Sequence, residues 1–351
     1  MITAGIVGAT GYMGGEALRV LLEHPGVEVV WATSRTGSEI AEFHPNLYES
    51  GITLIHPDET TPCDVVFLAL PTTATLEAAD VFLKQGCKVI DLGAAFRLSN
   101  RKIWEKVYGQ EHAKWHLSKK AVYGISELHK DEIKNTQLVA NPGCFSSAAI
   151  LGMAPLFKKD MVDIDRVIVD GLSGTAGIGA ELSRAAHHPE IGNNLIPYNV
   201  VNHRHSYEME QELGIIAKKE VTVHFTPVYA PIIRGILGIC HVFPKKSVKK
   251  DDVIGIYKDF YKDDYFVRVY DLPKEENVSW QYKPYPWVNS VAGTNYCFIG
   301  FDVDEKRGRI VIFSVLDSIG KGGAQAGVEN MNLMFGLDRA DGLRRRGFHP
   351  V

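Results

Sequence analysis

The chain has few cysteines, no long apolar run and no large excess of charge of either sign. Its five cysteines lie far apart and form no C-x-x-C pair, which argues against a zinc knuckle or a disulfide framework. No apolar stretch reaches the roughly 20 residues of a membrane helix, and no charged leader precedes the short N-terminal apolar run. A net charge of −4 gives no reason to expect a nucleic acid or an anionic membrane as a partner. We therefore expect a cytoplasmic protein that binds neither.

The 351 residues are enough for two domains, and the first part of the chain alternates short apolar runs with amphipathic stretches. This alternation predicts an α/β domain of Rossmann type, with a doubly wound parallel sheet. The expected strands and helices are Thr3–Val7, Gly14–Glu23 (helix), Val27–Thr33, Val65–Leu70, Thr75–Gln85 (helix) and Val89–Leu92.

After about residue 160, strand-like segments dominate and predict an α+β domain with a mainly antiparallel sheet. The expected strands are Arg166–Asp170, Val221–Tyr229, Ile233–Phe243, Phe266–Tyr270, Cys297–Asp304 and Arg309–Leu316. A closing helix, roughly Gly322–Phe335, is expected to return to the first domain. The predicted division is 1–143 with about 318–351, and 144–317.

A glycine-rich turn, Gly8-Ala9-Thr10-Gly11-Tyr12-Met13-Gly14, follows the first strand and opens a helix. Such a turn lets the backbone approach a pyrophosphate at the helix N-terminus, although alone it can be a tight turn only. We expect Gly8, Thr10, Gly11, Tyr12, Met13 and Gly14 to bind a dinucleotide. Ser34, Arg35 and Thr36 end the second strand where an NAD site places an acid, and they suit the 2′-phosphate of NADP.

Cys144 follows Asn141-Pro142-Gly143 and precedes a mostly apolar helix from Phe145 to Phe157. A lone cysteine is often a small buried hydrophobe. At a helix N-terminus, however, the partial positive charge favours the reactive thiolate. The residues alone leave nucleophile and buried thiol equally open.

The motif His203-Arg204-His205 offers a proton-transfer partner for a nucleophilic cysteine. Ser206 and Tyr207–Leu213 resemble a capped helix, so either histidine is expected at a helix mouth. A third ligand at a recognised metal spacing is missing, and we expect no metal. Arg97 and Arg234 either grip a phosphate or carboxylate, or pair with an acid.

Together these motifs resemble the N-acetyl-gamma-glutamyl-phosphate reductase family, arginine-pathway relatives of aspartate-semialdehyde dehydrogenase. The matching stretches span nearly the whole chain, and their order and spacing are specific. They are Gly8–Gly14, Ser34-Arg35, Asp91 with Phe96-Arg97-Leu98, Tyr123-Gly124, Asn141-Pro142-Gly143-Cys144, Ser173-Gly174, His203-Arg204-His205, Arg234-Gly235-Ile236, Gly293-Thr294-Asn295 and Asn330-Met331-Asn332-Leu333.

The resemblance implies an aspartate-semialdehyde-dehydrogenase-like fold and an NADPH-dependent reduction of an acyl phosphate through a cysteinyl thioester. It assigns the nucleophile to Cys144 and the acid/base to His205, with His203 the second candidate. It also implies a homodimer or homotetramer. The residues that it assigns to substrate contacts are Arg97, Asn141, Ser173, Gly174 and Arg234, and the residue that it assigns to the nicotinamide is Gln325.

Two departures from the family pattern leave the substrate and the nicotinamide contact open. Ala180 stands where the family commonly has Arg after the Ser-Gly pair, and His187-His188-Pro189-Glu190 is similar to a branch acting on aminoadipyl or glutamyl phosphate held by a small acidic carrier protein. Gln325 is displaced by one residue from its usual place. A free N-acetylglutamyl phosphate is favoured, because Arg184 is the only Arg or Lys between Leu172 and Val201 and an acidic carrier needs a basic rim.

Two further functions are compatible with these motifs. An aspartate-semialdehyde dehydrogenase would use the same chemistry, but the His-Arg-His motif fits it less well. A catalytically silent NADP-binding sensor would need neither the cysteine nor the histidine motif, so the presence of both argues against it.

Overall fold

The computed structural model describes residues 1–36, 39–271 and 285–348. The chain divides into two compact units. The first contains Met1–Pro142 and Gly323–Arg344, and the second contains Gly143–Gly322 and the described residues from Arg345 on. The predicted division assigned all of 318–351 to the first domain. In the structure the return stops at Arg344, because Gly347 packs against the backbone of Ser290 in the second unit. Residues 349–351 lie outside the described part.

A seven-stranded parallel sheet, ordered β3-β2-β1-β4-β5-β7-β6, forms the described centre of the first unit. Its strands are β1 (Ile2–Val7), β2 (Val27–Thr33), β3 (Leu54–Ile55), β4 (Val65–Leu68), β5 (Lys88–Asp91), β6 (Val122–Tyr123) and β7 (Leu138–Ala140). Its helices are α1 (Tyr12–Leu22), α2 (Thr72–Lys84), α3 (Arg101–Tyr108), α4 (Trp115–Ser118), α5 (Ser126–Lys134) and, after the second unit, α10 (Gln325–Met334). Short 3-10 turns occupy Ile40–Glu42, Pro45–Leu47 and Pro57–Glu59.

Every residue of α10 is buried, including its polar ones. Polar groups inside a protein need hydrogen-bond partners, and α10 has them. Asn330 Nδ2 donates to the Gly124 carbonyl at 2.9 Å, and Asn332 Oδ1 lies 3.0 Å from His24 Nε2. These bonds tie the late segment of the chain to the first unit.

The described strands of the second unit form a mixed sheet ordered β12-β13-β14-β11-β8-β10-β9, mainly antiparallel as predicted. Its strands are β8 (Val167–Ser173), β9 (Ile196–Pro197), β10 (Val223–Tyr229), β11 (Ile236–Val242), β12 (Val267–Val269), β13 (Cys297–Asp304) and β14 (Arg309–Leu316). Its helices are α6 (Cys144–Lys158), α7 (His188–Ile191), α8 (Arg204–Ala217) and α9 (Lys250–Phe260). Short 3-10 turns lie at Thr175–Ile178, Arg184–Ala186 and Val288–Val291, and a π-type turn at Gly320–Ala324 delays the start of α10.

Several predicted helix starts are wrong: α1 begins at Tyr12 rather than Gly14, and α2 at Thr72 rather than Thr75. The helix expected at Tyr207–Leu213 begins at Arg204, so Ser206 lies inside it and does not cap it. His203 is the cap, because its Nδ1 accepts a hydrogen bond from the backbone N–H of His205 at 3.2 Å. The two histidines of the motif therefore occupy different positions, one at the cap and one in the first turn.

Candidate active site

The glycine-rich turn of the first unit has no room for side chains at two of its glycines. Gly8 has φ +85°, and a Cβ added there would lie 2.5 Å from the Ala69 carbonyl oxygen. A Cβ added to Gly14 would lie 2.2 Å from the Gly8 carbonyl oxygen. The turn therefore requires Gly8 for its positive φ and its approach to Ala69, and Gly14 for the close approach of α1 to the loop.

The start of α1 is open. Gly11 is its N-cap, with extended backbone, and neither a capping side chain nor an acidic residue occupies the first turn. Thr10 and Met13 are half-buried and Tyr12 is exposed. Uncapped N–H groups with a partial positive charge fit a dinucleotide pyrophosphate.

The three residues after β2 form a small polar turn. Ser34 Oγ accepts a hydrogen bond from the Thr36 N–H at 3.0 Å, and both Arg35 and Thr36 are exposed. The guanidinium of Arg35 is thus available to an anionic ligand at the end of the strand.

Arg97 and Asn141, both predicted substrate residues, join two loops of the first unit. Arg97 Nε donates to the Asn141 carbonyl at 2.7 Å, and Asn141 Nδ2 donates to the Gly323 carbonyl at 2.9 Å. Beside them, burial raises the pKa of Asp91 to about 6, against the opposing effect of the Arg97 charge. Gln325, the predicted nicotinamide contact, is fully buried and its Nε2 donates to Glu16 Oε1 at 2.7 Å.

In the second unit, Cys144 is the first residue of α6 and Gly143 is its N-cap. Cys144 is half-exposed, whereas Cys87, Cys240 and Cys297 are buried. Burial also raises the pKa of the half-exposed Cys63 thiol to about 12. The thiol of Cys144 therefore combines access with the helix end that favours a thiolate.

His205 lies directly against the turn that carries Cys144. A Cβ added to Gly143 would lie 2.4 Å from His205 Nε2, so this glycine makes room for the imidazole. The motif thus brings one of its two histidines to the residue preceding the cysteine.

Glu208 is a functional candidate that the sequence analysis missed. It is fully buried; its Oε2 accepts from the Gly143 N–H at 2.9 Å, and its Oε1 lies 3.9 Å from His205 Nε2. One carboxylate therefore touches the cysteine-bearing turn and faces the histidine. The only sequence signal was its place three residues after His205, on the same face of α8.

His203 has a different environment from His205. Burial, and to a smaller degree the charge of Arg204, lowers the pKa of His203 to about 4. Its ring is therefore neutral at neutral pH, as its role as a hydrogen-bond acceptor in the helix cap requires.

Ser173, Gly174 and Arg234 lie around the end of β8. Ser173 is buried and its Oγ donates to the Gly174 carbonyl at 2.9 Å. Arg234 Nε donates to Asp317 Oδ2 at 2.7 Å. Asp317, a second residue that the sequence analysis missed, is fully buried and also accepts from the Gly320 N–H at 2.9 Å.

This acid orders the turn that leads to Gly322. A Cβ added to Gly322 would lie 2.7 Å from Cys144 Cβ, so the turn packs against the cysteine. Arg234 therefore pairs with an acid, which was one of the two roles expected for it. Through Asp317 it stabilises the turn that packs against Cys144.

Two family models together match most of the chain. The semialdehyde dehydrogenase NAD binding domain matches residues 3–136, and the semialdehyde dehydrogenase dimerisation domain matches residues 144–318. The N-acetyl-gamma-glutamyl-phosphate reductase of Methanopyrus kandleri is 42% identical over 359 residues, covering 100% of both chains. That of Desulforamulus reducens is 40% identical over 358 residues with the same coverage.

The chain belongs to the N-acetyl-gamma-glutamyl-phosphate reductase family. The resemblance drawn from the motifs is thereby confirmed. Aspartate semialdehyde dehydrogenase II of Vibrio cholerae, complexed with ASA, has a TM-score of 0.71 at 18% identity, covering 95% of this chain and 98% of that one. The enzyme of Francisella tularensis has a TM-score of 0.69 at 17% identity, covering 95% and 100%. These structures confirm the predicted fold.

Within the part of this reductase-family chain that the structure describes, no group of three or more His, Cys, Asp or Glu side chains is arranged to hold a metal ion. None of the described helices is long and apolar enough to cross a membrane.

Proposed function

We propose that the protein reduces N-acetyl-L-glutamyl 5-phosphate to N-acetyl-L-glutamate 5-semialdehyde and phosphate, with NADPH as reductant. The observation that carries this proposal is the half-exposed Cys144 at the N-terminus of α6, with His205 against the preceding glycine. Full-length relatives named N-acetyl-gamma-glutamyl-phosphate reductase, about 40% identical to this chain, support the proposed substrate.

The first step is attack of the Cys144 thiolate on the acyl carbon. The new C–S bond replaces the C–O bond to phosphate, which leaves with the bonding electron pair. The resulting thioester accepts a hydride more readily than a carboxylate does. When bound, the reduced nicotinamide supplies that hydride. Collapse of the thiohemiacetal on Cys144 then breaks the C–S bond and frees the aldehyde.

His205 is the proposed acid/base for these steps. It accepts the thiol proton before attack. When the oxyanion of the thiohemiacetal collapses to the aldehyde and the C–S bond breaks, it returns a proton to the departing sulfur. Glu208 Oε1 lies 3.9 Å from His205 Nε2, and its negative charge stabilises the imidazolium that forms. His203, whose ring is neutral and used in the cap, is the weaker candidate.

The proposed cofactor is NADPH rather than NADH. The glycines Gly8, Gly11 and Gly14, with Thr10, Tyr12 and Met13, would hold the pyrophosphate at the open end of α1. Ser34, Arg35 and Thr36 would hold the 2′-phosphate, because a guanidinium forms strong charge-assisted bonds to phosphate. Gln325 stays a proposed nicotinamide contact.

Changing Arg35 to Ala tests the choice of cofactor. We expect NADPH binding to weaken by roughly 1.5–3 kcal/mol, the range for hydrogen bonds to charged groups, and NADH binding to stay nearly unchanged. Fluorescence titration of the two reduced nucleotides measures both. Equal affinity of the unmutated protein for NADPH and NADH would contradict the assignment.

Two glycine substitutions separate the fit of the loop from its contact with ligand. Gly14→Ala forces a Cβ against the Gly8 carbonyl and should lower stability by about 1–3 kcal/mol, with loss of NADPH binding. Gly11→Ala places its Cβ 3.9 Å from that oxygen, so the fold should keep its melting temperature while NADPH binding weakens. Unchanged binding in Gly11→Ala would argue against a pyrophosphate at this helix end.

A phosphate-dependent oxidation assay tests the function. We expect NADP+ and phosphate to oxidise N-acetylglutamate 5-semialdehyde, with no turnover when phosphate is omitted. A preference for an aminoadipyl or glutamyl carrier conjugate, abolished by salt, would overturn the substrate and keep the Cys144 chemistry. Absence of turnover with every semialdehyde would favour the NADP-binding sensor.

The proposed assembly is a homodimer formed through the second sheet, or a tetramer built from such dimers. The name of the matching domain supports association, and so does the pattern of β8 and β11. Their fully buried side chains alternate with half-exposed apolar ones, including Leu172, Leu237 and Ile239. A sheet face that is apolar yet partly exposed is typical of a subunit contact.

A further inference from the structure

A row of aromatic rings leads away from the catalytic turn of the second unit. His205, against Gly143, has its ring centroid 4.8 Å from that of His203. His203 meets the edge of Tyr198 at 5.5 Å, and Tyr198 stacks on Tyr229 at 3.9 Å with an interplanar angle of 1°. The mechanism above uses His205, and the two tyrosines at the far end of the row have no assigned role.

The two phenols are held in place by the backbone. Tyr229 ends β10 and pairs with Ile196 of β9, and the Tyr198 N–H donates to the Pro227 carbonyl at 3.2 Å. The two stacked rings therefore extend from backbone segments that are hydrogen-bonded in the sheet.

Both hydroxyls stay protonated and lie within electrostatic reach of the nucleophile. Burial is the main cause that raises the pKa of Tyr198 and of Tyr229. A hydrogen bond between the two side chains raises the pKa of Tyr198 and lowers that of Tyr229, and negative charge on Cys144 raises both. A protonated phenol donates a hydrogen bond and suits an oxygen acceptor such as a carboxylate or an amide carbonyl.

The order of the row indicates which part of a substrate the tyrosines meet. His205 serves the reacting acyl carbon, and His203 separates it from the tyrosines. In an N-acetylglutamyl phosphate, the α-carbon that carries the carboxylate and the acetamido group lies three carbon–carbon bonds from the reacting carbon. We propose that Tyr198 and Tyr229 bind this non-reacting end and are specificity-determining residues. This inference rests on the proposed function.

The test uses Tyr198→Phe and Tyr229→Phe, which keep the ring stack and remove one hydroxyl each. We expect each variant to raise KM for N-acetylglutamate 5-semialdehyde about tenfold, the usual effect of one lost hydrogen bond to a charged group, with kcat within about twofold. Butanal, which lacks both the carboxylate and the acetamido group, should be oxidised by the variants and the unmutated protein with equal kcat/KM. Calorimetric titration with N-acetylglutamate should show the same loss without turnover.

Tyr207→Phe is the matched control. Its hydroxyl is on α8 near the same region and bonds to Asn202 Oδ1 at 3.3 Å, so its removal should leave both aldehydes unaffected. Loss of activity toward butanal equal to that toward the acetylated substrate would overturn the proposal, as would unchanged KM in both tyrosine variants. Failure of the proposed function gives a different result, because the unmutated protein would then not oxidise the acetylated semialdehyde.

Discussion

Replacing Cys144 by Ser should lower kcat at least about a thousandfold, roughly 4 kcal/mol of barrier, while NADPH still binds. A serine hydroxyl at the start of α6 is a far weaker nucleophile than a thiolate, and it forms an ester in place of the thioester. The substitution is nearly isosteric, so the contact with Gly322 persists and the fold should be kept. Steady-state turnover and a nucleotide titration on the same preparation measure the two quantities.

Cys63→Ser is the control for this experiment. Cys63 is also half-exposed, but burial raises the pKa of its thiol to about 12 and so suppresses the thiolate. Its replacement should leave kcat unchanged, and one equivalent of iodoacetamide should inactivate the Cys63→Ser protein. An active Cys144→Ser protein, with activity lost in a variant of another cysteine, would refute the assignment.

Long strands with alternating burial were predictable from the sequence. Cys297–Asp304 and Arg309–Leu316 have the predicted bounds, because apolar side chains alternate along them and a Glu-Lys-Arg-Gly turn separates them. Strands of only two or three residues were not predicted. Val122–Tyr123 and Leu138–Ala140 are too short for a period to show, and only pairing in the parallel sheet reveals them.

The start of α8 was misplaced for a local reason. Ser is a better N-cap than His on average, so Ser206 attracted the prediction. In the structure His203 Nδ1 performs the capping, and the histidine ring is neutral because it is buried. Tertiary burial thus set the protonation state that the cap needs, and the sequence carries no sign of that burial.

The side chains that contact the turn before Cys144 could not be predicted from the sequence, because tertiary packing brings them there. Gly143 and Glu208 are 65 positions apart, and their hydrogen bond exists because α6 packs against α8. Motif spacing identified Cys144 and the histidine pair. The spacing of three residues from His205 favours Glu208 over Glu210, but nothing in the sequence shows that its carboxylate reaches the Gly143 N–H.

Glu208→Gln should lower kcat about 100-fold, within the range of general acid–base effects, and leave the melting temperature close to that of the unmutated protein. The glutamine oxygen can still accept from the Gly143 N–H, so the turn that carries Cys144 keeps its hydrogen bond. What is lost is the negative charge 3.9 Å from His205 Nε2, which stabilises the imidazolium formed when His205 takes the thiol proton.

Glu212→Gln is the matched control, because Glu212 is buried on the same helix one turn further on and pairs with Gln211 Nε2 at 2.9 Å. Its change should leave kcat within about twofold, since most substitutions away from the reacting groups have small effects. The second readout is the rate at which iodoacetamide alkylates the cysteine at neutral pH, which should fall in Glu208→Gln and not in Glu212→Gln. Equal losses of kcat in the two variants would mean that Glu208 acts only through folding, and an unchanged alkylation rate with full activity would remove it from the mechanism.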